Sequence, residues 1–263
     1  MSLRTPSRSR FRPPAPVDQS ILHEHRQLIT RIDRRGVLRG SLSLGALMML
    51  SGCNISEADP VQKVLRRISE FNDDVQALLF NPNKLAPTYT AAEVVKPPRF
   101  NAHYEVENVR PVDGATWKLE LGGRIADKRP WTVEQIQALP QQELIIRHIC
   151  VEGWDYIGQW SGVNLREFLI RIGADLTAGY VGFRCADDFD ESIDMATALH
   201  PQTILATRYA GETIADPFGY PLRLRTSTKL GFKNPKWITA MEVTNVNPGG
   251  YFAREGFNWF SGL

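Results

Sequence analysis

One short stretch of the 263-residue chain gathers side chains able to do chemistry: Arg147, His148, Cys150 and Glu152, within RHICVEGW (147–154). A thiol beside an arginine and a histidine is biased toward the thiolate, the form that ligates metals or attacks carbon. On a strand, side chains alternate, so His148 and Cys150 share a face while Arg147 points away. Nucleophilic catalysis of the papain kind needs an orienting Asn or Asp and a local signature around the cysteine, and no such signature is present. Taken alone, the stretch reads most economically as a strand with a buried cysteine.

The remaining cysteines narrow the chemistry. Cys53, Cys150 and Cys185 are the only three, and no two have C-x-x-C spacing. That argues against a zinc ribbon, a thioredoxin motif and a c-type haem site. No iron–sulfur or haem ligation pattern is visible, so nothing in the chain relays electrons. A Cys150–Cys185 disulfide stays open as an alternative in an oxidising compartment, and it competes directly with thiolate ligation.

The net charge of +2 is unevenly placed. Residues 1–52 hold nine arginines against three acids, a balance of +6, so the remainder carries −4. A working domain with that balance lacks the cationic surface that nucleic-acid binding requires. The basic segment leads into DRRGVLRG (33–40) and SLSLGALMMLSGC (41–53). Its apolar run is too short to span a bilayer as a mature helix and reads as a signal peptide. Arg34–Arg35 with Leu38 and Arg39 resembles a twin-arginine export signal, and LSGC (50–53) resembles a bacterial lipoprotein processing site. The implied place is the periplasm, with membrane attachment through a lipid on Cys53.

The elements that must position the chemistry follow from periodicity. Residues 58–80 have apolar positions at steps of three and four from Val61 to Leu79, an amphipathic helix opened by Asp59 and Pro60. A proline-bearing lead-in runs to residue 99. Helices are expected over 132–139, with a Thr132–Gln135 capping box, over 164–174, and over 192–199. Strands are expected over 116–123, 143–151, 180–185, 204–214, 221–226 and 237–245. Irregular alternation without a dinucleotide-type glycine fingerprint points to an α+β domain with a mixed sheet.

The stretch around Cys150, with Trp160, Gly162, Val163 and Leu165 after it, resembles the molybdenum-binding segment of the sulfite oxidase family of molybdopterin-binding oxidoreductases. Within that family it is most similar to the periplasmic methionine-sulfoxide reductases. Three further blocks match in order: FNAHYEV (100–106), CADDFDESIDMATALHPQTILA (185–206) and FGYPLRLRTSTKLGFKNPKWITAMEV (218–243). The resemblance implies residues 1–53 as signal peptide, 54–99 as helix and lead-in, and 100–263 as catalytic domain. It implies a molybdenum–molybdopterin cofactor with Cys150 as metal ligand. Asn101, Tyr104, Glu105, Cys185, Arg223, Asn234, Pro235 and Lys236 are the implied pterin contacts. Tyr104, His148, Arg147 and Glu152 are candidates for a role near the metal. Soft sulfur suits the metal, and Arg, Lys and backbone N–H groups suit the anionic phosphate at the pterin's end.

The implied reaction is oxygen-atom transfer, with S-oxide reduction, including methionine sulfoxide in proteins, as the first expectation. The implied partner is a membrane cytochrome b or a soluble cytochrome. Two departures bear on this. Thr207 stands where sulfite oxidases carry a tyrosine, which weakens a sulfite-type oxidation. Phe218 stands where a polar cofactor contact is usual, and it keeps a metal-free lipoprotein binding module open as an alternative. Trp154, Trp160 and Trp237 read as core or pocket walls, and His103 and His200 as ordinary packed histidines.

Overall fold

The computed structural model describes residues 59–263, within which Val64–Leu263 form one compact unit. The expected signal peptide, with Arg34, Arg35 and Cys53, lies outside the described residues. The helices are α1 (Asp59–Leu79), α2 (Val133–Gln137), α3 (Leu165–Arg171), α4 (Met195–Ala198) and α5 (Tyr251–Arg254). Strands β1 (Glu120–Gly123), β4 (Tyr180–Cys185), β5 (Asp190–Asp194) and β9 (Ile238–Thr244) form a four-stranded sheet in the order β1-β9-β4-β5. Its β1–β9 pair is parallel and the rest antiparallel, so the sheet is mixed, as expected. Strands β2 (Gln141–Ile149), β3 (Asp155–Asn164) and β6 (Thr203–Tyr209) run in that order in a second, antiparallel sheet. There β7 (Glu212–Thr213) and β8 (Arg223–Thr226) both pair with β6.

The main apolar core forms where α3 and the four-stranded sheet bury their apolar positions. Leu165, Phe168, Leu169 and Ile172 repeat at helical spacing and are fully buried with Val181, Ile193, Leu224 and Val243. Each such side chain contributes roughly 1.5–3 kcal/mol by leaving water. Asn164 caps α3 through its side-chain oxygen, which accepts from Glu167 N at 3.4 Å. Past the helix end Gly173 has φ +66°, a conformation that favours glycine. Thr132 and Gln135 form the reciprocal capping box of α2.

Three elements differ from the sequence expectation. Residues 192–199 are not one helix: Ser192–Asp194 pair with β4, and only Met195–Ala198 turn helical after Asp194 caps them. The strand over 116–123 shrinks to β1. The long strand β3 carries no period strong enough to announce it, because Gly158 and Gly162 interrupt its apolar positions. It pairs with β2 along its whole length, so residues 150–154 form the turn of a hairpin and Cys150 lies one residue beyond the strand.

Helix α1 is amphipathic but inverted. Its apolar side chains face outward, Phe71 at 63% and Leu78 at 84% exposure. Its polar side binds the C-terminal segment instead. Asp73 accepts from the backbone N–H of Trp259 at 3.1 Å and Phe260 at 2.8 Å, and Gln76 accepts from Gly262 N at 2.9 Å. Among the described residues no helix is long and apolar enough to cross a membrane.

Candidate cofactor site

The candidate residues meet in a cleft of about 190 Å³. Three chain segments build it: Asn101–His103, the hairpin turn Cys150–Glu152, and the loop between β8 and β9. Phe189, Phe232, Trp237, Phe252 and Phe257 supply aromatic walls. A larger hollow of about 460 Å³ over the four-stranded sheet contains none of the candidates. Chemistry, rather than volume, favours the smaller cleft.

Cys150 opens the hairpin turn. Its N–H donates to Trp154 O at 2.9 Å, its carbonyl accepts from Gly153 N at 3.2 Å, and Gly153 makes the bend with φ +87°. The thiol reaches the cleft, 3.7 Å from Glu152 Oε2, and that carboxylate also accepts from Trp154 Nε1 at 2.6 Å. Burial pushes the Cys150 thiol up, and the Glu152 carboxylate adds to the rise. The expectation that Arg147 and His148 favour the thiolate is therefore corrected. Arg147 leaves on the other face of β2 and pairs with Asp155 at 2.6 Å in solvent. His148 is buried, and desolvation, followed by the nearby Arg225, Arg223 and Lys236, holds its pKa well below the ordinary value, so it is neutral. Arg147 takes no place in the cleft, and His148 stands behind its wall.

The loop between β8 and β9 is braced before any ligand arrives. Asn234 Oδ1 accepts from Thr226 N at 2.8 Å and its Nδ2 donates to Leu230 O at 3.0 Å, so its side chain is committed to the loop. Lys233 pairs with Glu191 at 2.6 Å and Lys229 with Asp194 at 3.0 Å, both lysines buried. Gly231 touches the cleft on one side and His148 on the other: an added Cβ would sit 2.7 Å from His148 Nε2. Pro235 lines the cleft and its carbonyl holds Leu224 N.

Lys236 crosses the cleft. Its ammonium donates to Asn101 O and, at 3.5 Å, to Pro217 O, and lies over the rings of Phe100 and Trp237. Burial and then Arg223 push its pKa well down. Tyr104 donates to Asp187 at 3.0 Å, and its phenol is pushed up by burial and by that carboxylate. Glu105 is exposed, at the cap of a short 3-10 turn, and does not line the cleft. Cys185 ends β4 inside the apolar core rather than in the cleft. Both cysteines are free, so the alternative disulfide is not formed.

Arg223 is 2% exposed. Its Nη1 donates to Phe218 O at 2.8 Å, while its Nε and Nη2 have no partner. The missing polar side chain at position 218 is thus partly answered by that residue's carbonyl. Sequence reading passed over Arg225, equally buried on the same strand face, and also Asp187. The signal for Arg225 is the Arg-Leu-Arg alternation on a strand, which puts both guanidinium groups on one side. Buried cationic donors without acceptors, beside a thiol and an aromatic cleft, suit a group that combines an anionic tail, a flat ring system and a soft metal. The residues present fit molybdopterin.

Residues 103–252 match the family model described as the oxidoreductase molybdopterin binding domain. The chain belongs to this family. It is a molybdopterin-binding oxidoreductase of the sulfite-oxidase fold, and an enzyme, which sets aside the binding-module alternative. It is 52% identical over 229 residues to the putative protein-methionine-sulfoxide reductase subunit YedZ1 of Azospira oryzae, covering 87% of each chain. It is 30% identical to the protein-methionine-sulfoxide reductase catalytic subunit MsrP of Xanthomonas axonopodis pv. citri, over 50% of this chain and 46% of that one. Among solved structures, the sulfane dehydrogenase SoxCD of Paracoccus pantotrophus superposes with a TM-score of 0.50 at 17% identity. That superposition covers 56% of this oxidoreductase and 42% of SoxCD and speaks for the fold alone.

Proposed function

We propose that the chain is the catalytic subunit of a periplasmic S-oxide reductase, with Cys150 as the protein ligand to molybdenum. The observation that carries this reading is the position of Cys150, a free thiol on a tight turn in an aromatic cleft bordered by buried cations. Asn101, Arg223, Asn234, Pro235 and Lys236 stand where they would hold the pterin. Lys236 already bridges two of the segments that build the cleft. Glu105 and Cys185 do not line the cleft and take no part in this reading. When bound, the molybdenum cofactor supplies oxygen-atom transfer.

The chain's own residues bind and orient. Phe232, Phe252 and Phe257 offer apolar contact to a thioether-like side chain and limit water around a polar S=O group. Tyr104 is held protonated by burial and donates its hydroxyl to Asp187, a residue that lines the cleft, so it orients that carboxylate rather than acting as a base. Reduction of a sulfoxide to a thioether and water consumes two electrons and two protons. In this reading the electrons come from a redox partner, a membrane cytochrome b or a soluble cytochrome. Export by a twin-arginine signal and a lipid on Cys53 belong to the same proposal. They are supported by the motifs at 33–53.

The test is metal and pterin analysis of the full chain from a host competent in molybdenum-cofactor synthesis, beside Cys150→Ser. Stoichiometric molybdenum in the wild type, lost or spectroscopically altered in the variant, is expected. So is methionine-sulfoxide reduction with an artificial electron donor and none without one. A folded wild-type chain lacking molybdenum would sink the reading. Sulfite oxidation in place of sulfoxide reduction would reverse the direction.

A further inference from the structure

Arg223 and Arg225 share one face of β8, and among the described residues neither guanidinium meets a carboxylate. Arg225 is fully buried. Its Nη1 donates to His148 Nδ1 at 2.8 Å, and its Nε and Nη2 have no partner, matching the two idle groups on Arg223. Both lie against the indole of Trp160, at 4.4 Å and 5.1 Å from the ring centre. A guanidinium can only donate, so His148 Nδ1 accepts and the ring proton sits on Nε2. That N–H, the Trp160 Nε1–H and the Tyr156 hydroxyl are also buried and unpartnered. This wall therefore holds two cations and three further hydrogen-bond donors, with no acid among the described residues to balance them.

The contrast within the same protein is direct. The other buried cations of the region have found oxygen: Lys233 has Glu191, Lys229 has Asp194, and Lys236 has two carbonyls. Burying charge without a counter-charge is expensive, and a chain keeps such groups where a ligand supplies the missing charge. The wall lies behind the cleft, and neither arginine is among the residues that line it. Gly231 separates His148 from it, and Gly219 brings Lys236 and Arg223 close, an added Cβ there meeting both at 3.0–3.2 Å.

We propose that Arg225 is a second anion-binding residue of the cofactor site, and that with Arg223 it takes the phosphate monoester at the end of the molybdopterin. This rests on the reading that the chain carries that cofactor. Arg225 then has two duties. One N–H fixes the His148 tautomer, and the remaining donors meet phosphate oxygens, for which a planar fork is better suited than an ammonium. The two arginines contribute holding power rather than fold stability, because in the empty chain they are uncompensated.

The experiment compares the full-length wild type, Arg225→Leu and Arg225→Lys. Each is purified from a cofactor-competent host for molybdenum and pterin content, and from a cofactor-deficient host for thermal unfolding. The expected result is a fall of roughly tenfold or more in retained pterin and molybdenum for Arg225→Leu, with a smaller fall for Arg225→Lys. The empty Arg225→Leu chain should unfold at or above the temperature of the empty wild type. Wild-type pterin retention in Arg225→Leu would overturn the proposal. So would an empty Arg225→Leu chain that unfolds well below the empty wild type, the mark of a purely structural arginine. If inorganic phosphate stabilises the empty wild type but not empty Arg225→Leu, while pterin retention is unaffected, the site serves a free anion and the proposal also falls. A wild-type chain with no pterin would instead fail the functional reading beneath it.

Discussion

The two sheets treat buried charge in opposite ways. Around the four-stranded sheet, Lys233 and Lys229 meet Glu191 and Asp194, both on β5, and the core behind them is apolar. On the five-stranded sheet one face carries His148 from β2, Tyr156 and Trp160 from β3, and Arg223 and Arg225 from β8. The Arg225–His148 bond links β8 to β2 across this face. Here the donors are left idle. The difference teaches a division of labour: in the first region the fold itself supplies a carboxylate to each buried lysine, and in the second no described residue supplies one to either arginine. Consistency of packing marks structure, and local inconsistency marks the site.

The comparison can be broken most forcefully in the first region. Phe168→Ala in the main core should lower unfolding free energy by about 3–5 kcal/mol, through lost burial and the cavity left behind. Chemical denaturation would measure it, and pterin per folded chain should not change. Lys233→Met should cost a similar amount, about 3–5 kcal/mol, because it leaves Glu191 buried without its partner. A variant as stable as wild type would show that the two regions do not differ as argued.

A pH dependence sharpens the same contrast. Burial pushes Lys229 down to about 8 despite Asp194. Between that value and the unfolded one, the unfolded chain binds a proton that the folded chain does not. Stability from this group therefore rises as pH increases through about 8 to 10.5 and is lost as pH falls through that window. Relative to Lys229→Met, the wild type should gain roughly 1–3 kcal/mol over this range in denaturant midpoints taken at stepped pH. A flat difference would remove the claim.

The smallest effects belong to α1. Asp73→Ala removes the acceptor of two backbone N–H groups in the C-terminal segment and should cost about 1–3 kcal/mol. Leu78→Ser, on the outward apolar side, should stay within about 0.5 kcal/mol in the isolated chain. Thermal unfolding of the pair would show whether the helix is held by its polar side.

Much of the fold was legible because its causes are local. The apolar repeat of α3, the Thr132–Gln135 capping box, and the alternation in β4 and β9 all act within a few residues. Ordered blocks from 100 to 243 were enough for the family. Other features were illegible because their causes are distant in sequence. Strand β3 exists through its pairing with β2, and Ser192–Asp194 join β4 although their own sequence reads as the start of a helix. The periodicity of α1 was plain, but which side turns inward depends on Asp73 and Gln76 meeting a segment nearly 190 residues away.

The site divides along the same line. The sequence alone was enough for the family and for singling out the thiol of Cys150, while Arg225 was passed over although the Arg-Leu-Arg alternation was there to be read. Only the tertiary structure decided that Arg147 faces solvent, that His148 is neutral behind the cleft, and that Arg223 and Arg225 find no acid. The physical reason is range. Backbone preference and side-chain alternation are set by near neighbours, whereas burial, pKa and the presence or absence of a counter-charge are set by whatever the fold brings across the sheet.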